Sequence, residues 1–238
     1  MRKLIIANWK SNPGSPASAV KLARATDRVG IVIAPPHVFL EHVAEVLNKS
    51  ELGAQDVYGA KSGPYTGEAS LNQLKSLGVK YIILGHSERR KYLKESDELI
   101  ALKVKAALKA GFKVILCVGE GSAIRRRGLT ASKKFVLNQL KSDIPRRVQK
   151  GKLIVAYEPV WAISTFKGAK PDTPEGASLM ISFIKKTLSK IKPKVIYGGS
   201  VNASNAKAFL KERVIDGALI GGISLKPLEF HKIISDIM

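Results

Sequence analysis

One pattern recurs along this chain and restricts its possible folds more than any other feature. A short apolar run rich in β-branched residues is followed by a loop and then by an amphipathic segment, and this happens eight times. Because the runs are continuously apolar rather than alternating, we expect them to form buried parallel strands. The eight runs are Lys3–Asn8, Gly30–Ala34, Leu52–Asp56, Lys80–Gly85, Lys113–Val118, Leu153–Glu158, Lys194–Gly198 and Gly217–Gly221.

The segments between the runs carry helix signals. Ser96 is a suitable N-cap for a helix over Asp97–Ala110, which has acidic residues in its first turn. Thr173 followed by Pro174 predicts another helix start, and that helix should run to about Ile191. A third helix is predicted over Val38–Asn48. The apolar positions of the helix predicted over Asp97–Ala110 are Leu99, Leu102, Ala106 and Leu108.

Eight strand-then-helix units in 238 residues predict an α/β protein with one (β/α)8 barrel, a single catalytic domain over residues 1–238. The alternative is an open doubly wound sheet. Such a sheet would have a glycine-rich turn after its first strand, whereas the first strand here ends in Asn8-Trp9-Lys10. The barrel is therefore the favoured architecture.

Composition limits the compartment and the class of protein. The chain is 45% hydrophobic and 25% charged, which is typical of a folded globular protein, and it has no apolar run long enough to span a bilayer. Its single cysteine, Cys117, excludes an intrachain disulfide and cannot form a zinc site alone. We therefore expect a cytoplasmic protein with no membrane partner.

The net charge of +21 raises the question of nucleic-acid binding. The basic residues are dispersed: Arg125-Arg126-Arg127 is the only triple, and pairs such as Arg146-Arg147 and Lys185-Lys186 lie in different segments. Aromatic residues make up only 6% of the chain and do not alternate with arginine. We expect no nucleic-acid partner, although a positive field would attract a small anionic substrate.

Chemically useful groups stand at the ends of several predicted strands. Lys10 follows the first strand, His86 the fourth and Glu158 the sixth, while glycine pairs follow the seventh and eighth. Barrel enzymes place their chemistry on this rim. Glu158 could remove a carbon-bound proton, His86 could donate a hydrogen bond to a carbonyl oxygen, and Lys10 could neutralise the resulting charge. The glycine pairs expose backbone N–H groups that could hold a phosphate.

Each of these groups has an ordinary structural explanation when it is taken alone. Glu158 could be a buried ion-pair partner of Arg89 or Lys10, and Lys10 could be a simple surface lysine. His37, His42 and His231 are interpreted as structural, Cys117 as a core residue and Trp161 as a packing residue. Several suitable groups on one rim favour a catalytic site over coincidence.

Ordered motifs along nearly the whole chain resemble the triosephosphate isomerase family. They are N-W-K at 8–10, G-A-Q-D-V-Y at 53–58, Y-T-G-E at 65–68, G-H-S-E-R-R at 85–90, C-V-G-E at 117–120, Y-E-P-V-W-A-I at 157–163, Y-G-G-S-V at 197–201 and G-G-I-S-L at 221–225. Each motif is weak alone, but the ordered set is specific. The resemblance implies a TIM barrel that interconverts dihydroxyacetone phosphate and glyceraldehyde 3-phosphate without cofactor or metal.

The resemblance also implies roles for individual residues. Glu158 is the implied base, His86 the electrophile, Asn8 and Lys10 the substrate contacts, and Glu88 their support. The implied phosphate site consists of backbone groups at Ser164, Ser200, Gly221 and Gly222. The family is usually a homodimer, and the implied dimer contacts are Thr66, Gly67 and Glu68, with Thr66 near the partner's active site.

The chain departs from the family pattern in three places. The segment that resembles the family's closing lid is longer, with Ser164 and Phe166 where the family has glycines or small residues. Leu93-Lys94 replaces the usual Phe-Gly, although Glu95 is retained. The region 121–134 is short and basic, and no role is assigned to it.

Two other hypotheses are a different phosphosugar isomerase or aldolase, and a nucleic-acid-binding barrel without catalysis. The first hypothesis would need a Schiff-base lysine deep in a strand or a metal cluster, and we find neither in the sequence. The intact Lys10, His86 and Glu158 argue against the second hypothesis.

Overall fold

Eight parallel strands close into a barrel in the order in which they occur along the chain. The computed structural model describes residues 3–59, 61–163 and 171–235. The (β/α)8 prediction is confirmed, and each strand lies within one or two residues of its predicted bounds. The strands are β1 (Leu4–Asn8), β2 (Ile31–Ala34), β3 (Glu51–Ala54), β4 (Tyr81–Leu84), β5 (Lys113–Val118), β6 (Leu153–Tyr157), β7 (Lys194–Tyr197) and β8 (Gly217–Ile220).

Helices follow the strands and cover the outside of the barrel. In the described ranges they are α1 (Pro16–Thr26), α2 (Leu40–Ala44), α3 (Leu71–Ser76), α4 (Ser87–Tyr92), α5 (Asp97–Lys109), α6 (Ser122–Arg125), α7 (Leu129–Asp143), α8 (Pro174–Thr187), α9 (Ala206–Lys211) and α10 (Pro227–Ser235), with 3₁₀ turns at His37–Phe39, Val160–Ala162 and Gly222–Leu225. Ser96 and Thr173 cap α5 and α8 as predicted. Of the helices described, none is long and apolar enough to cross a bilayer.

The strands alternate between two apolar layers. One layer fills the barrel and includes Ile6, Ile83 and Ile154, while their neighbours Ile5 and Ile82 belong to the layer between strands and helices. Because side chains alternate along a strand, the residues that follow the inner layer at the strand ends also point into the barrel. The same alternation that packs the interior therefore directs side chains into the barrel mouth.

Two helix predictions differ from the structure. The segment predicted as one helix over Val38–Asn48 is a 3₁₀ turn at His37–Phe39 followed by α2, which ends at Ala44. The ring Nε2 of His37 lies 2.9 Å from the Asp56 carbonyl oxygen. This turn leaves Val38 exposed. The α8 helix ends at Thr187 rather than near Ile191, and Lys192 then adopts a positive φ of 51°.

The buried face of α5 also differs from the prediction. Leu99 and Leu102 are exposed, whereas Ile100, Val104 and the side chain of Lys103 are buried. The face is displaced because Lys103 makes two buried ion pairs, which turn its side of the helix toward the barrel.

Candidate active site

A pocket of about 450 Å³ opens at the carboxyl ends of the strands. It brings together residues that follow β1, β4, β6, β7 and β8, as the sequence predicts. The predicted residues that line it are Asn8, Lys10, His86, Glu158, Ser200, Gly221 and Gly222. Lys226 lies beside them and is a cation that sequence reasoning missed, since it follows a 3₁₀ turn rather than a strand.

Glu158 occupies the end of β6, where the inward alternation through Ile154 and Ala156 directs its side chain into the barrel. Its side chain is only 2% exposed. One carboxylate oxygen, Oε2, accepts a hydrogen bond from the Ser87 backbone N–H at 2.9 Å. The other, Oε1, accepts no hydrogen bond from any described residue, although it lies 3.2 Å from His86 Nε2.

The structural explanations for Glu158 are wrong, because its two candidate partners bind other carboxylates. Arg89 pairs with Asp56 at 2.7 Å and with Glu95 at 2.8 Å. Lys10 pairs with Glu88 at 2.5 Å. Glu158 is thus a buried carboxylate that the described residues leave without a cationic Lys or Arg partner, which is typical of a functional group rather than a structural one.

His86 reaches the pocket because the chain turns sharply before it. Gly85 has φ +69°, and a Cβ there would lie 2.9 Å from the Arg90 guanidinium and 3.2 Å from the Cys117 carbonyl oxygen. This left-handed residue ends the strand alternation and makes His86 the N-cap of α4. The imidazole therefore lies beside Glu158 with its edge toward the pocket.

The hydrogen bonds of His86 indicate its tautomer. Its Nδ1 accepts from the Glu88 backbone N–H at 3.3 Å, so Nδ1 carries a lone pair and the proton of the neutral ring lies on Nε2. This arrangement presents a neutral N–H donor to the pocket.

Lys10 is held in an uncommon backbone conformation. Its φ is +54°, a value that L-residues other than glycine adopt rarely. Two side chains fix this conformation: Asn8 Oδ1 accepts from the Lys10 N–H at 3.0 Å, and Gln55 donates to the Lys10 carbonyl oxygen at 2.8 Å. Strained residues that neighbours hold in place are concentrated at functional sites.

Buried ion pairs fix α4, the helix that His86 caps. Lys103 contacts Asp56 at 2.7 Å and Glu95 at 2.5 Å, and both carboxylates also bind Arg89. Burial would raise the pKa of Glu95, but hydrogen bonds from Arg89 and Lys103 lower it below its usual value. The retained Glu95 is thus the centre of a network that locks α4 onto β3 and α5.

Sequence reasoning missed a second cluster at the end of β6. Glu120 is fully buried and accepts hydrogen bonds from the Tyr157 hydroxyl at 3.2 Å and from Trp161 Nε1 at 3.1 Å. The Arg125 guanidinium lies 4.6 Å from the centroid of the Trp161 ring, over its face. Trp161 therefore packs as predicted and is also anchored. The sequence did offer one indication of this cluster, since Glu120 is a carboxylate only two residues after β5.

Several predicted residues lie elsewhere or outside the described ranges. Ser164 and Phe166 are outside the described residues. Thr66, Gly67 and Glu68 are exposed in the loop between β3 and α3, away from this pocket. Cys117 is fully buried in the barrel as predicted, and burial together with the charge of Glu158 raises the pKa of its thiol.

Comparison with known proteins adds to this geometry. Residues 3–237 match the family model described as triosephosphate isomerase. The chain belongs to the triosephosphate isomerase family. It is 42% identical to the triosephosphate isomerase of Delftia acidovorans, with 98% of each chain covered. It is 40% identical to that of Coprinopsis cinerea, over 96% of this chain and 95% of the relative.

A third triosephosphate isomerase, from Neurospora crassa, is 46% identical over 86% of this chain and 84% of its own length. Membership of the family confirms the sequence resemblance and identifies the chain as an isomerase. Among the described residues, no group of three or more His, Cys, Asp or Glu side chains is placed to hold a metal ion.

Proposed function

We propose that this protein interconverts dihydroxyacetone phosphate and D-glyceraldehyde 3-phosphate, with Glu158 as the base and His86 as the electrophile. The observation that carries this proposal is the pair formed by Glu158 Oε1 and His86 Nε2, 3.2 Å apart in the barrel mouth. Oε1 accepts no hydrogen bond from the described residues, so it is available to accept a proton. The family relationship supplies the substrate class.

The first step is removal of a proton from the carbon next to the substrate carbonyl. Glu158 accepts this proton on Oε1, and the electron pair of the broken C–H bond forms an enediolate. Oε2 stays bonded to the Ser87 N–H, which fixes the plane of the carboxyl group during transfer. Glu158 then returns the proton to the adjacent carbon, while the hydroxyl proton passes from one enediolate oxygen to the other by way of His86 Nε2. The base is thereby restored and the carbonyl has moved by one position.

The enediolate oxygens need donors that are already in place, because reorganising them during the reaction would raise the barrier. The neutral Nε2–H of His86 is one such donor. The ammonium group of Lys10 is a second, and Glu88 holds it 2.5 Å from its own carboxylate. Asn8 sets the backbone of Lys10 and is itself directed into the pocket.

The phosphate of the substrate would bind at the other side of the pocket. Ser200, Gly221 and Gly222 line that side, and a Cβ on Gly221 would lie 3.3 Å from Lys10 Cε. Small residues here let a phosphate approach the backbone N–H groups. We include Ser164 in this phosphate site on the family resemblance alone. No cofactor or metal takes part in the proposed reaction.

We further propose a homodimer whose contacts include Thr66, Gly67 and Glu68. Two features support this. The base of their loop is closed by a hydrogen bond from the Tyr58 N–H to the Ala69 carbonyl oxygen at 2.9 Å, and its tip is exposed. In the dimer, Thr66 would approach the partner's active site. The proposed setting is the cytoplasm, where the reaction serves glycolysis and gluconeogenesis.

The test of the proposed chemistry is a coupled assay of glyceraldehyde 3-phosphate turnover with and without a chelator. Glu158→Gln should lower kcat by ~10³-fold or more, because a positioned general base contributes about 10²–10⁴-fold. Glu41→Gln is the matched control, since Glu41 is an exposed carboxylate on α2. Turnover of the folded Glu158→Gln protein at the wild-type rate, or loss of activity with chelator, would contradict the mechanism.

A further inference from the structure

The amino ends of the strands carry a basic surface that the proposed reaction does not use. We name it the basic groove and define it by Arg146, Arg147, Lys150, Lys190 and Lys192, which line one depression on this surface. The first three lie between α7 and β6, and the last two lie between α8 and β7. The fold thus brings together cations from two segments that are at least forty positions apart in the sequence.

The charges of the basic groove are uncompensated. All five side chains are exposed, and none of the ion pairs found in the described residues involves any of them. The described residues that line the groove include no aspartate or glutamate. The two adjoining depressions are lined by one acid each: Asp216, which is already paired with Lys185 at 2.8 Å, and Glu98 on α5.

The basic groove continues into neighbouring depressions on both sides. One shares Arg146 and Arg147 with it and extends along α5 past Lys109. The other shares Lys192 and extends to Lys194. The result is a band of positive charge rather than one compact site. A band of this kind matches a linear polyanion with regularly spaced charges better than it matches a single small anion.

We propose that this band binds the phosphate backbone of double-stranded nucleic acid. A duplex is favoured over a single strand because no described residue lining the basic groove is aromatic, and single strands are held largely by stacking on aromatic rings. Binding would be independent of base sequence, since lysine and arginine contacts to phosphate position a duplex without reading it. The proposal revises the sequence expectation of no nucleic-acid partner.

Binding at the basic groove is compatible with catalysis. The groove lies at the amino ends of β6 and β7, whereas Glu158, Gly198 and Ser200 follow the carboxyl ends of the same strands. A strand of four or five residues spans ~13–17 Å, so a duplex on the groove does not cover the pocket. Isomerase turnover therefore serves as an independent measure of whether each variant is folded.

The experiment measures fluorescence anisotropy of a labelled 20-base-pair duplex, in DNA and RNA forms, titrated with the full chain at several salt concentrations. The groove variant is Arg146→Gln, Arg147→Gln and Lys190→Gln together. The control variant has the same charge change on three other exposed lysines, Lys21→Gln, Lys134→Gln and Lys207→Gln. A peptide of twenty glutamates serves as competitor.

We expect the wild type to bind both duplexes and the groove variant to lose ~10-fold or more in affinity near 0.1 M salt. Removing three phosphate contacts should reduce the slope of log K against log salt by about 3, since each contributes about 0.9. The control variant should lose less than about 2-fold. Equal losses of affinity in the two variants would refute a binding site at the basic groove and would show that affinity depends on net charge alone. Equal competition by the glutamate peptide would refute a nucleic-acid site in favour of an acidic protein partner.

Discussion

The placement of Glu158 depends on a residue that has no side chain. Gly198 faces the glutamate across the ends of β6 and β7, and a Cβ at this position would lie 2.8 Å from Glu158 Cγ. Carbon atoms in ordinary contact are about 3.5–4.0 Å apart, so Gly198→Ala must open a gap of about 1 Å. The backbone of Gly198 cannot easily supply it, because its N–H donates to the Tyr157 carbonyl oxygen at 2.8 Å. The carboxylate is therefore the group that moves.

The size of the effect follows from that displacement. Moving a catalytic group by about 1 Å from its productive position lowers the rate by ~10²-fold. We therefore expect Gly198→Ala to lower kcat by about that factor, with a smaller change in KM because the proposed phosphate contacts lie elsewhere in the pocket. Overpacking of this kind also destabilises a protein by about 1–3 kcal/mol. The variant should thus remain folded at 25 °C while its turnover falls.

The assay combines coupled turnover with thermal unfolding followed by circular dichroism. Gly14→Ala is the matched control, because a Cβ at Gly14 would meet nothing within 4 Å. Its kcat should equal that of the wild type. A Gly198→Ala protein with wild-type kcat would show that the position of Glu158 is not controlled by this contact, and the reasoning would be refuted.

Two other predictions concern pH and assembly. Burial raises the pKa of Asp172 to about 6. The protonated carboxyl therefore contributes fully to the free energy of unfolding below the unfolded pKa of about 3.9, and this contribution is lost as the pH rises through about 6. Urea unfolding between pH 4 and 7 should therefore show the wild type losing up to about 3 kcal/mol relative to Asp172→Asn, and parallel pH curves would contradict this. For assembly, sedimentation equilibrium should give twice 25.8 kDa for the wild type and a smaller mass for Thr66→Trp, with lower turnover. An unchanged mass and rate for that variant would exclude the proposed contact.

The barrel and the principal site groups could be predicted because they depend on local features. Each strand is a continuous apolar run, and period-two alternation within it determines which side chain enters the barrel mouth. Ile154 and Ala156 belong to the inner layer, so Glu158 must face inward once the strand is identified. Lys10, His86 and Glu158 were placed on one rim because each follows the end of a predicted strand, and the structure brings them into one pocket.

The orientation of His86 could not be derived in the same way. It depends on the left-handed conformation of Gly85, and the sequence shows a glycine without showing its φ. The basic groove was missed for a related reason. Arg146-Arg147 and the lysines near position 190 look dispersed along the chain, and only the order of the closed barrel places them side by side.

Lys103 shows why supporting residues are harder to predict than catalytic ones. The apolar pattern alone pointed to Leu99 and Leu102 as part of the buried side of α5, although both are exposed. A lysine on a helix ordinarily lies on the solvent face. Lys103 is buried at 3% exposure because Asp56 and Glu95 neutralise it. Asp56 lies in the loop after β3, and Glu95 lies in the connection between α4 and α5. A buried ion needs its partner to offset the loss of hydration, and removing one partner leaves the other charge uncompensated. The burial of such a lysine therefore depends on three residues together, one of which, Asp56, is 47 positions away in the sequence. The apolar pattern of α5 alone does not contain this information.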